Sequence, residues 1–95
     1  MTENVKTLHN SDISGARKNV RDIQVFGDGD LFRLISKASS RDEDWMKSTK
    51  AMQIDGVGCI VQVTTQQGSN VAEALTFVPG VRIEGDGENR RLVRI

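Results

Sequence analysis

The chain has 95 residues, and its 13 Lys and Arg residues balance its 13 Asp and Glu residues, so the formal net charge at pH 7 is zero. This length predicts a single domain over residues 1–95 with a modest core, and the neutral charge removes any general attraction to phosphate backbones or anionic membranes. No apolar run is long enough to span a bilayer, and a single cysteine excludes an internal disulfide framework and fits a reducing compartment.

The N-terminal part predicts an arm followed by a helix. Met1–Asn10 is polar with scattered apolar residues and is predicted to be a flexible arm. Ser11–Ile23 is predicted to be a helix, because Asn10 or Ser11 can cap it and apolar residues recur at helical spacing. These apolar residues are Ile13, Ala16, Val20 and Ile23. A short strand over Ile23–Phe26 is an alternative.

The next segment leaves helix and strand open. A loop is predicted for Gly27–Asp30, since Gly and Asp both favour turns. Leu31–Ala38 fits a helix capped by Asp30, because its apolar residues fall at the i, i+3, i+4 and i+7 positions. The same run fits a strand equally well, because it is short and adjoins a β region. Ser39–Asp44 is predicted to be an exposed acidic turn.

The central segment, Trp45–Gln67, predicts a long β-hairpin. Asp55 and Gly56 separate two strand-like runs, and Asp-Gly is typical of a two-residue type I′ turn with positive φ at both central positions. Such a turn pairs Met52 with Cys59, and side chains alternate between faces along each strand. One face is therefore predicted to be apolar and the other polar. The predicted apolar face carries Met46, Met52, Ile54, Val57, Cys59, Val61 and Val63.

The last third of the chain predicts further strands. Val71–Val78 is predicted to be a strand that ends at Pro79. Val81–Glu84 and Arg90–Ile95 are predicted to form a final hairpin around a Gly-rich loop. The predicted fold class is therefore α+β, with an N-terminal helix followed by a mostly antiparallel β-meander of four to six strands.

Few residues are suited to catalysis or metal binding. Cys59 falls on the predicted apolar face, where a cysteine packs as a small apolar residue. The single His9 has no partner at zinc-ligand spacing, and Gly27–Asp30 and Gly85–Asn89 lack the spaced carboxylates of a calcium loop. The sequence therefore predicts a protein that is not an enzyme and has no catalytic residues, metal or cofactor.

Arginines near the C-terminus form the candidate ligand site. Arg82, Arg90 and Arg91 lie on the predicted final hairpin, and guanidinium groups suit phosphate and carboxylate. We predict an anion-binding site in which Arg90 and Arg91 hold a phosphate with Arg82 as support, and Trp45 or Phe77 stacks a base. A charged strand edge that discourages unwanted sheet pairing explains the same residues without a ligand. Because Arg90 and Arg91 are adjacent, they are predicted to point to opposite faces.

The runs LISKASS, WMKSTKAM, GCIVQVTTQQ and EALTFVPGV resemble those of short uncharacterised open reading frames of tailed bacteriophages and prophages. The resemblance covers Leu34–Val81 and includes no catalytic motif. It implies an accessory role in the host cytoplasm, where small phage proteins often inhibit host factors or bind host signalling molecules.

Three functions are compatible with these observations. The first is a non-enzymatic phage-type accessory protein that binds and modulates a host or phage protein, as an anti-defence inhibitor does. The second is an oligomeric protein that sequesters an anionic, nucleotide-like ligand. The third is a nucleic-acid-associated protein, which the zero net charge disfavours. The neutral charge and a core with only one Trp and three Phe residues also predict a homo-oligomer, most simply a two-fold dimer.

Overall fold

The structure is a computed structural model that describes residues 13–95. The predicted arm at Met1–Asn10, the helix cap at Asn10 or Ser11, and His9 lie outside the described residues. The elements, in chain order, are α1 (Ile13–Asn19), β1 (Arg33–Ser40), β2 (Trp45–Ile54), β3 (Gly58–Gln67), β4 (Asn70–Pro79), β5 (Val81–Glu84), a 3-10 helix (Gly87–Asn89) and β6 (Arg91–Arg94).

The described residues form two antiparallel sheets. Strands β1, β2, β3 and β4 make a four-stranded sheet in that spatial order, and β5 and β6 make a two-stranded sheet. The predicted antiparallel meander of four to six strands is confirmed. The α+β class overstates the helical content, because the described helices are a seven-residue α-helix and a three-residue 3-10 helix.

The helix and the first strand differ from what their apolar spacing suggested. Helix α1 ends at Asn19, short of the predicted end at Ile23, and a single helix of this length is marginal in water without packing partners. The alternative strand over Ile23–Phe26 is absent. The ambiguous run Leu31–Ala38 falls mostly in the strand β1, which begins at Arg33 and pairs with β2. The Asp30 side chain accepts a hydrogen bond from the Phe32 N–H at 2.9 Å in the turn before the strand.

The central hairpin is confirmed, but its predicted register is wrong by one residue. Gly56 has a positive φ of 75°, whereas Asp55 does not, so the turn has the pattern of type II and not type I′. Keeping Asp55 out of the left-handed region avoids a cost of about 1–2 kcal/mol. The connection has three residues as a result, and Met52 lies opposite Ile60 while Cys59 lies opposite Gln53.

The one-residue shift places Met52 and Cys59 on opposite faces, so the predicted apolar face does not exist as a unit. The buried residues come from both faces of the four-stranded sheet. Met46, Ser48 and Thr64 are buried on one face, and Ala51 and Cys59 are buried on the other. The core of the described chain is therefore small, and it is split between two ends of a long sheet.

The second sheet covers the Cys59 face near the tip of the central hairpin. At Gly80, where φ is 74°, the chain leaves β4 and enters β5. The Cys59 thiol then lies 3.7 Å from the Val81 carbonyl oxygen, and the Ile83 N–H donates to Gln53 Oε1 at 2.7 Å. These contacts hold β5 against β2 and β3, while Ile54 and Val57 at the hairpin tip remain exposed.

Candidate functional site

Two of the predicted ligand-binding arginines, Arg82 and Arg91, form ion pairs with the same carboxylate, that of Glu84. Arg82 Nη2 lies 3.1 Å from Glu84 Oε2, and Arg91 Nη2 contacts Glu84 Oε1. Glu84 and Arg91 are directly paired between β5 and β6, and Arg82 is two residues away on the same face. All three side chains are partly exposed, so the pairs contribute little stability, but the shared carboxylate offsets part of the positive charge that would attract an anion.

Arg90 has a different environment from its neighbour Arg91. Its Nη1 donates to the backbone carbonyl of Leu34 at 2.9 Å, and the side chain is half-buried. This bond ties the C-terminal segment to β1. The two adjacent arginines therefore diverge, since Arg90 turns toward the four-stranded sheet and Arg91 pairs with Glu84.

Two open clefts lie on either side of the Arg90 side chain. One has a volume of about 350 Å³ and the other about 510 Å³, within the range of small-molecule sites. The smaller is lined by Leu31, Arg33, Met52, Gln53, Ile83, Gly85, Asp86 and Arg90. The larger is lined by Leu34, Ile35, Ser36, Lys37, Gly87, Glu88 and Arg90. Each cleft contains a carboxylate, so neither is a purely positive anion site.

Trp45 lies away from the arginine clefts. It begins β2 and is paired with Ser40 and Gln67, at the end of the sheet opposite to the hairpin tip. Trp45 lies seven positions along β2 from Met52, which lines the smaller cleft, a distance of about 23 Å along a strand. The Trp45 indole N–H donates to Glu43 Oε1 at 2.9 Å. Trp45 therefore does not stack over a ligand held by Arg90.

A feature that sequence reasoning did not single out is the free edge formed by β4. Within residues 13–95, strand β4 pairs only with β3, and no described strand pairs with its outer side. Every β4 residue is exposed except Val78, which is half-buried. Three large apolar side chains stand on one face, Val71, Leu75 and Phe77, with 51%, 62% and 47% of their surface exposed.

The hydrogen bonds between β3 and β4 show which β4 N–H groups point away from β3. Gly80 donates its N–H to the Val57 carbonyl at 2.9 Å, one pair beyond the Gly58–Pro79 pair. Hydrogen-bonded and non-hydrogen-bonded pairs alternate in an antiparallel ladder, so the even-numbered β4 residues bond to β3. The outward N–H groups belong to Val71, Glu73, Leu75 and Phe77. Pro79, which has no N–H, occupies the next outward position, as edge strands permit.

The other edge of the sheet, at β1, is protected. A β-bulge interrupts the β1–β2 register between Leu34 and Ser36. Arg90 donates a hydrogen bond to the Leu34 carbonyl oxygen, and β1 carries the charged residues Arg33 and Lys37. Bulges, charges and covering groups are the devices by which proteins prevent edge pairing. Strand β4 has one charged residue, Glu73, in ten. That scarcity of charge is the signal in the sequence that could have identified the free edge.

The described residues show no second kind of site. No group of three or more His, Cys, Asp or Glu side chains within residues 13–95 could hold a metal ion. Cys59 is buried, and desolvation raises the pKa of its thiol above the ordinary value, so it stays protonated at neutral pH. None of the helices that the structure describes has the length and apolar character needed to cross a membrane.

Comparisons with known proteins give one match. Neither the curated proteins nor the solved structures include a protein that matches this chain. The model of the Lockin family matches residues 2–93, which is nearly the whole sequence. The chain therefore belongs to the Lockin family.

Proposed function

We propose that this protein is a small non-enzymatic accessory protein that binds and modulates another protein, and that β4 is its docking element. The observation that carries the proposal is the ten-residue edge strand with outward N–H groups at four alternate positions. Unpaired strand edges pair readily with another polypeptide. Natural edges are usually short, bulged or charged, and β4 is none of these.

The docking mode that fits this edge is addition of a strand. In this mode, main-chain hydrogen bonds supply affinity, and alternate side chains supply specificity. Val71, Leu75 and Phe77 are the residues whose N–H groups point out of the edge, and their side chains share one face of the sheet with Ile60 of β3. An added strand with apolar residues at alternate positions would extend the sheet and place its side chains beside this strip.

The anion-binding alternative has less support. Glu84 contacts both Arg82 and Arg91, Arg90 is engaged by the Leu34 carbonyl, and the clefts beside Arg90 contain Asp86 or Glu88. A phosphate would have to compete with these contacts. The zero net charge of the chain adds no long-range attraction for a nucleotide or a nucleic acid.

The biological setting of the proposal comes from sequence resemblance. The runs within Leu34–Val81 resemble those of phage and prophage open reading frames. We therefore propose the cytoplasm of a bacterial host as the compartment and a host or phage protein as the target. Inhibition of a host defence factor is the modulating role that fits a binding protein without catalytic groups.

Photo-crosslinking inside cells tests the docking role of β4. A photoreactive p-benzoylphenylalanine in place of Phe77 should form covalent adducts with a bound protein, because the side chain at this position stands on the proposed docking strip. The matched control is the same group in place of Lys47, an exposed position on the central strand β2. Adducts of the Phe77 variant with another protein, and none of the Lys47 variant, would support the proposal. No adduct at Phe77, or equal adducts at both positions, would refute it.

A further inference from the structure

We infer that the strand that fills the β4 edge is β4 of a second copy of this chain, related by a two-fold axis perpendicular to the sheet. The inference rests on the proposed docking role of β4 and concerns the free protein: the second copy occupies the edge, and a strand of a target protein would have to displace it. The two β4 strands run antiparallel, with Ala74 facing Ala74 of the second copy, and the two four-stranded sheets become one eight-stranded sheet.

The backbone restricts which registers are possible. A two-fold axis perpendicular to the sheet leaves the odd-numbered side chains of both copies on the same side of the joined sheet. Directly opposite residues in a strand pair also share a side, so an odd-numbered residue of one β4 lies opposite an odd-numbered residue of the other. Only odd-numbered residues carry outward N–H groups. The register centred on Ala74 pairs Val71 with Phe77 and Glu73 with Leu75. It therefore uses all four outward N–H groups of each copy and leaves Pro79 outside the interface.

The registers centred one residue to either side of Ala74 pair the two strands less favourably. A register centred on Glu73 would place the two Glu73 carboxylates opposite each other, and like charges in that position are destabilising. A register centred on Leu75 would place Val71 opposite Pro79, which has no N–H to donate. The register centred on Ala74 avoids both problems. It also creates two Val71–Phe77 pairs, and pairs between aromatic and β-branched residues are favourable across strands.

The rest of the described chain agrees with a closed dimer. The buried apolar residues in this part are Met46, Ala51 and Cys59, which is a thin core, while Val71, Leu75 and Phe77 are exposed. Pairing through β4 would place these side chains beside those of the second copy and remove part of their surface from water. Because β1, the other edge, is bulged and engaged by Arg90, the assembly stops at two copies and does not grow into an open-ended sheet.

Two substitutions of one exposed residue test the self-pairing by sedimentation. Leu75→Glu places a carboxylate opposite Glu73 of the second copy at two symmetric positions, and Leu75→Lys places an ammonium group there. We expect wild type to sediment as a dimer of the 10.5 kDa chain. Leu75→Glu should weaken the dimer by about tenfold or more through like-charge repulsion, and Leu75→Lys should leave it as tight or tighter. Equal effects of the two variants, or a monomeric wild type, would overturn the inference.

Disulfide cross-linking tests the register separately. In the proposed register Ala74 faces its own copy at a non-hydrogen-bonded position, where Cα atoms lie about 4.5 Å apart, within reach of a disulfide. Ala74→Cys should therefore cross-link under mild oxidation. Thr76→Cys is the matched control, since the two Thr76 positions are about 13 Å apart at four residues' separation. Wild type has only the buried Cys59 and should not cross-link. Cross-linking of Thr76→Cys, or none of Ala74→Cys, would contradict this register.

The two proposals fail in different ways. A monomeric wild type that still forms Phe77 photo-adducts with another protein would refute self-pairing and leave the docking role of β4 intact. A photoreactive group at Phe77 that forms no adduct with another protein would refute the docking role, whether or not an adduct at twice the chain mass is formed.

Discussion

Replacing Gly58 with alanine should destabilise the protein by about 3 kcal/mol, at the upper end of what overpacking costs. A Cβ atom at Gly58 would lie 2.4 Å from the Val78 carbonyl oxygen and 2.9 Å from Pro79 Cα. Both are backbone atoms of the neighbouring strand, so no side-chain rotation relieves the clash. The strands β3 and β4 would have to separate at the point where the chain turns toward β5.

Gly56→Ala is the matched control for this prediction. Gly56 has open space where a Cβ would be placed, and its only constraint is the positive φ of 75°. The control should therefore cost about 1 kcal/mol, clearly less than Gly58→Ala. Urea unfolding followed by Trp45 fluorescence at fixed protein concentration measures both free energies. A smaller loss for Gly58→Ala than for Gly56→Ala would show that the close approach of β3 and β4 at Gly58 is wrong.

Met46→Ala should cost about 2–4 kcal/mol, because the Met46 side chain is 1% exposed and its removal leaves a cavity. Met46 is the largest fully buried side chain described, in a core with few other members. Met52→Ala on the same strand and the same face is the control. Met52 is only half-buried, near the tip of the central hairpin, so its truncation should cost less than half as much stability. The same unfolding measurement decides, and equal losses would contradict the split core.

The central hairpin shows how far turn chemistry predicts structure. Asp55-Gly56 correctly marked the turn, and the strand bounds followed from the flanking β-branched and polar runs. The register did not follow, because it depends on whether one or two residues of the turn adopt positive φ. Gly56 alone does so, and Val57 becomes a third loop residue. The alternating faces of β3 are then exchanged, which is why the predicted apolar face was wrong.

The candidate sites show a similar limit. Adjacency in the sequence predicted that Arg90 and Arg91 diverge, since this follows from local backbone geometry. The engagement of Arg90 by the Leu34 carbonyl and the distance of Trp45 from the clefts depend on long-range strand order. The position of β4 at an edge also depends on strand order. Strand propensity predicted β4 but could not show that nothing among the described elements pairs with its outer side.

Amide hydrogen exchange resolved for each β4 residue is the most direct test of whether β4 pairs with β4 of a second copy. If β4 pairs with a second β4, the N–H groups of Val71, Glu73, Leu75 and Phe77 should exchange slowly in wild type. The same groups should exchange fast in the Leu75→Glu variant at a protein concentration where sedimentation shows that variant to be monomeric. The even-numbered residues, which bond to β3, should be protected in both proteins. If the four odd-numbered residues exchange as fast in wild type as in the variant, the β4 edge is unpaired. That result would contradict pairing through β4.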